Sequence, residues 1–176
     1  RLFAINSFIP LIEISRINGV TINFFKPDGP NTADVFDMAA GGGKLWLVNG
    51  AINGAYNNQF NLARVSTYDG VSWTNYRHGT SDGLTDIFDL VSVTINPDNP
   101  EQVYFGSWGR GLIEFNKQVS FRTYQDTNTL YTNNFGQITS AIKRREAWKP
   151  SFWIGSGEAT FDRQGNLWAT NTYQKN

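Results

Sequence analysis

The sequence predicts an all-β fold: a β-propeller segment of about three to four four-stranded blades, part of a larger propeller. Three observations predict it. The heptad Lys44-Leu45-Trp46-Leu47-Val48-Asn49-Gly50 returns at Arg1–Ser7, at Gln102–Trp108 and at Asn166–Thr172, each copy running polar, aliphatic, aromatic, then small or apolar. Its aromatic positions, Phe3, Trp46, Tyr104 and Trp168, lie 43, 58 and 64 residues apart, one blade per interval with loops of unequal size. Tyr68, Trp73 and Tyr76 are answered by Phe115, Phe121 and Tyr124 at offsets of 47, 48 and 48.

Taken in order, the whole chain, 1–176, divides along these repeats. Blade remnants occupy 1–29, with strands at Arg1–Ser7, Phe8–Ile14 and Gly19–Phe25, closed by the turn Lys26-Pro27-Asp28-Gly29. Proline presets φ there and glycine accepts φ > 0. In the blade at 30–78, Asp34–Ala40 and the heptad form a hairpin about Gly41-Gly42-Gly43. An insert rich in asparagine, alanine and glycine follows at Ala51–Ala63. Arg64–Tyr68 and Val71–Tyr76 then flank Asp69-Gly70, a strong hairpin signal.

The blade at 79–125 repeats the plan. Asp86-Ile87-Phe88-Asp89 answers Asp34-Val35-Phe36-Asp37, and Asn96-Pro97-Asp98-Asn99-Pro100 replaces the three glycines. Gly111–Phe115 and Val119–Tyr124 make its outer hairpin. An irregular insert spans 126–150, where Ile138–Arg145 is the one stretch of helical character and has too few apolar positions to predict a helix. A partial blade at 151–176 carries the turn Asp162-Arg163-Gln164-Gly165 and the last heptad. Two nearly whole blades between two partial ones leave sheet edges open, which predicts a larger ring. Arg1 in first place, with the repeat beginning at once, points to a processed or excised segment.

Composition narrows the function classes. Charged residues make up 17% of the chain and the formal net charge is zero, so no global attraction to nucleic acid exists. Cysteine is absent, which removes disulfides, zinc thiolates and cysteine nucleophiles. No apolar run reaches the length of about 18 residues that a spanning helix needs. His78 is the lone histidine and sits in a connector between blades. With no cysteine beside it, neither a transition-metal site nor a Ser-His-Asp arrangement is predicted.

The chemistry-bearing residues sort by whether the repeat explains them. Phe3, Trp46, Tyr104 and Trp168 recur at one position, which predicts packing between blades rather than a sugar platform. Asp34/Asp37 and Asp86/Asp89 recur as pairs and read as structural. Ser66–Trp73 approximates the Asp-box turn of sialidase-type propellers, a structural turn with its Asp one place late here. Glu158, near Trp153, is the least explained acid and the one candidate for glycoside hydrolysis, which needs two carboxyls. Trp108 and Arg110 follow the third heptad, between glycines that permit close approach, and offer stacking and bidentate hydrogen bonding. Lys143, Arg144, Arg145 and Trp148 form the other candidate, suited to an anionic glycan or an acidic surface. No catalytic residue, metal ligand or cofactor is predicted.

Tyr104–Phe115 resembles the two-component-regulator propeller repeat, whose pattern runs aromatic, hydrophobic, Gly, then Gly-Leu and a late aromatic. Asp82-Gly83-Leu84-Thr85 is similar to the punctuation before it, Phe161–Trp168 to its inner hairpin, and Tyr68–Trp73 to its outer hairpin. The resemblance covers about 33–125 and 157–172. Such blades occur in exported Bacteroidetes proteins of two kinds. One is the periplasmic sensor of hybrid two-component systems, which implies sensing of glycan fragments. The other is the PorZ-like surface component of type IX secretion, which implies a non-enzymatic binding part handling anionic lipopolysaccharide or protein partners. The long asparagine-rich insert and Gly106–Leu112 look closer to the second kind. The implied location is the periplasm or the outer-membrane surface.

Overall fold

The computed structural model describes residues 2–4, 11–15, 20–25, 27–81, 83–117, 120–142 and 154–171. Among them all regular structure is β-strand. β1 (Leu2–Ala4), β2 (Leu11–Ser15) and β3 (Thr21–Phe25) form a three-stranded antiparallel sheet at the start. β4 (Asp37–Gly41), β5 (Lys44–Val48), β6 (Arg64–Tyr68) and β7 (Trp73–Arg77) form a four-stranded antiparallel meander. β8 (Leu90–Ile95), β9 (Gln102–Gly109), β10 (Gly111–Asn116) and β11 (Ser120–Tyr124) form the next. These two are the blades that the repeats predict.

The strand registers turn the sequence offsets into geometry. Leu45 faces Tyr68, which faces Trp73; Val103 faces Phe115, which faces Phe121. The matched aromatics therefore occupy equivalent sites in the two sheets. The same reckoning corrects one equivalence. Asp37 faces Val48 on β5, and Ser92 faces Gly106 on β9, so Ser92 rather than Asp89 is the counterpart of Asp37. Asp89 lies three residues earlier, its carbonyl bonded to the Trp108 N–H, and a bulge between Leu90 and Ser92 supplies one of those three residues.

Within the insert at 126–150, β12 (Leu130–Thr132) and β13 (Ile138–Ser140) pair as a hairpin, so Ile138 opens a strand and not a helix. β14 (Ile154–Phe161) and β15 (Leu167–Asn171) are the inner pair of the fourth unit. β9 outlasts β8, and its last two residues, Trp108 and Gly109, pair with Gly155 and Ile154 of β14. That seam ties the third unit to the fourth.

Packing between the blades uses the repeated aromatic. Trp46 is 1% exposed, with Phe105 and Phe115 of the next blade at 6.0 and 5.1 Å between ring centres. Tyr76 and Phe121 close the cluster at 5.3 Å. Burying an indole of this size contributes about 4–6 kcal/mol of transfer free energy. Its N–H meets no acceptor among the described residues, which offsets part of that gain. Tyr104 meets Phe161 of the fourth unit at 5.9 Å. Trp168, at the same repeat position, is 64% exposed, because no described residue stacks beyond β15. The Phe3 side chain lies outside the described residues.

Candidate functional site

In an antiparallel meander, the start of the first strand, the end of the second and the start of the third share one end of the sheet. The insert after β5, the connector before β8 and the turn from β9 to β10 therefore converge on one face. Asn49 draws the neck of the insert shut: its Nδ2 donates to the Leu62 carbonyl at 3.0 Å, and its Oδ1 accepts from the Arg64 N–H at 2.6 Å. Gly50 permits this closeness, since a Cβ there would stand 2.0 Å from the Leu90 carbonyl oxygen.

Asp89 holds the insert from below. Its side chain is fully buried, and its carboxylate accepts the backbone N–H groups of Gln59, Phe60 and Asn61, each at 2.9 Å. Hydrogen bonds to an ionised acceptor are the stronger kind, and three convergent donors replace its lost water. Tyr56, Phe60, Asp86 and Asp89 all have φ between 49 and 64°. Left-handed non-glycine residues carry strain that surrounding bonds must over-determine. Here the clamp does so.

Trp108 reaches this insert, and Arg110 reaches the connector before β8. The Trp108 indole N–H donates to the Tyr56 carbonyl at 2.8 Å, with the two rings 6.2 Å apart. Its carbonyl accepts from Asn58 Nδ2 and its N–H donates to the Asp89 carbonyl. Arg110 Nε donates to the Asp86 carbonyl at 2.7 Å, and the guanidinium lies 5.1 Å over the Phe88 ring. Burial draws its pKa below the usual arginine value, opposed by the nearby Asp86 charge. Phe60 also meets Phe88, with the ring centres 5.2 Å apart and the planes tilted by 53°. The result is a shelf of Tyr56, Trp108, Phe60, Phe88 and Arg110 in which Tyr56 and Phe60 remain 65% and 54% exposed.

Sequence reasoning named Trp108 and Arg110 but not the residues that join them. Asp89 read as one member of a structural pair, and Tyr56 and Phe60 lay in an insert without strand pattern. Lys143, Arg144, Arg145 and Trp148 lie outside the described residues. His78 Nδ1 accepts from the Asp86 N–H at 3.3 Å, a connector bond rather than part of a catalytic arrangement. Among the described residues no three His, Cys, Asp or Glu side chains converge as metal ligands.

Beside the shelf, a cleft of about 440 Å³ opens against the innermost strands. Phe36, Val91 and Trp108 supply apolar walls, and Asp37, Ser92 and Glu158 the polar groups. These three polar residues occupy one level of three successive inner strands: Thr170 stands two places past Trp168, as Val48 stands past Trp46, and takes the Glu158 N–H at 2.8 Å.

No protein-family model matches the sequence, and no curated protein matches it. Among solved structures, PorZ matches: it is an essential bacterial surface component of the type IX secretion system of Porphyromonas gingivalis. The superposition has a TM-score of 0.66 at 24% identity, over 93% of this chain and 20% of PorZ. The fold is similar to a stretch of PorZ. The chain thus spans about a fifth of that protein's length, and the likeness places it among propeller-type blades. Extracellular domains described as those of a hybrid two-component system and of a one-component system of B. thetaiotaomicron also match, at 16% and 15% identity, over 98% and 97% of this chain and 31% of theirs. Their TM-scores of 0.38 and 0.30 are too low to bear on the fold. Among the described residues no helix is long and apolar enough to cross a membrane.

Proposed function

We propose that this chain is a non-enzymatic binding module of an exported bacterial surface protein, and that its loop face recognises an anionic glycan such as lipopolysaccharide. One observation carries the reading: the Asp89 clamp holds Tyr56 and Phe60 outward beside Trp108 and Arg110. Exposed aromatic rings on a fixed backbone suit the apolar faces of sugar rings. Arg110 supplies a cation, and the sequence offers Lys143, Arg144, Arg145 and Trp148 as further candidates outside the described residues. The likeness to PorZ supports surface location and a binding rather than catalytic role. A protein partner at the cell surface would use the same shelf.

Calorimetry with purified anionic lipopolysaccharide glycan tests the proposal. Binding should weaken steeply between low and high salt, because the cationic contribution is screened. It should also weaken about tenfold in Tyr56→Ala and in Phe60→Ala. Arg110→Ala should flatten the salt dependence. Binding unchanged in all three folded variants rejects the shelf, and release of shortened glycan during the titration rejects the non-enzymatic reading.

A further inference from the structure

We propose that the inner-strand cleft is a second subsite, for an uncharged sugar, which adjoins the shelf at Trp108 and differs from it in chemistry. The charged residues that line it are Asp37 and Glu158, both acids. One Asp37 oxygen is engaged, accepting the Val93 N–H at 2.9 Å across the blade boundary. Ser92 Oγ accepts the Gly106 N–H at 3.1 Å, which leaves its own hydrogen to donate. The Glu158 side chain is exposed at the cleft, and no described residue engages its carboxylate.

This arrangement selects by charge and by shape. A pyranose presents hydroxyl donors around its edge and C–H groups on its faces. Carboxylate acceptors take the hydroxyls, while Phe36, Val91 and the Trp108 ring take the faces. An anionic sugar would meet two like charges there and no cation among the lining residues. The volume lies at the lower end of small-molecule sites and accommodates one or two sugar rings. A glycan chain can therefore lay charged units along the shelf and an uncharged unit in the cleft.

The test titrates the protein with maltohexaose, cellohexaose and xylohexaose, beside oligogalacturonate as the anionic arm and chitosan hexamer as the cationic arm. At least one uncharged oligosaccharide should bind, with an affinity that salt hardly changes. Glu158→Gln and Phe36→Ala should each weaken it about tenfold. Tyr56→Ala and Phe60→Ala should leave it unchanged, which separates this subsite from the shelf. Glu158 is exposed, so Glu158→Gln remains folded and decisive even if Phe36→Ala does not. Binding of none of the three uncharged chains overturns the proposal. So does preference for the anionic or cationic arm, or loss confined to the shelf variants.

Discussion

Asp89→Asn is the most direct test of how the loop face is built. The substitution preserves shape and removes one charge and one acceptor. With its amide oxygen in place of Oδ2, the side chain still accepts from Gln59 and Phe60, but its NH₂ then confronts the Asn61 N–H. Two charge-assisted bonds become neutral ones, each about 1 kcal/mol weaker, and the third is lost at about 1.5–3 kcal/mol. Against this stands the relief of desolvating a buried charge, and residues 59–61 are exposed enough for freed donors to find water. The net loss should be about 2 kcal/mol, concentrated in the insert. Amide hydrogen exchange at Gln59, Phe60 and Asn61 should therefore accelerate about 30-fold. The amides of β9 should change much less. Glycan binding at the shelf should weaken in parallel. Unchanged exchange at those three amides, in a folded variant, refutes the clamp.

Three further outcomes follow from the geometry. Trp46→Ala should cost about 3–5 kcal/mol in chemical unfolding, and Trp168→Ala about 1 kcal/mol or less, although both hold the same repeat position. Gly50→Ala should destabilise by about 2–3 kcal/mol, since its Cβ would clash with the Leu90 carbonyl; Gly54→Ala, with nothing within 4 Å, should stabilise slightly in the same thermal melt. Asp162 accepts the Trp168 indole N–H at 2.8 Å and further N–H groups of Asn166 and Gln164. Those bonds hold its pKa at about 2, below the ordinary 3.8. A depressed carboxylate stabilises the fold fully above its unfolded pKa, and that contribution fades as pH falls from 3.8 through about 2. Tryptophan emission should shift over that window and lose that component in Asp162→Asn.

Periodicity made most strands, the two four-stranded meanders and the packing role of Trp46 legible in the sequence, but not the β12–β13 hairpin. The legible features are periodic, and a repeat carries its own evidence: Trp46 and Tyr104 each pack on an aromatic ring of the following unit. The turns were legible too, because Asp69-Gly70 and Asp162–Gly165 encode local backbone geometry. Only the tertiary structure decided what the non-periodic stretches do. Asp89 reaches three amides some thirty residues earlier, a pairing with no local pattern. Strand register makes Ser92, three places past Asp89, the counterpart of Asp37, and Trp168 lies bare where Trp46 is buried because cover comes from a neighbouring sheet. Trp108 and Arg110 drew notice as departures from the repeat. The bonds of Trp108 to the insert and of Arg110 to the connector before β8, and the cleft beside them where Glu158 stands, come from loops brought together at one end.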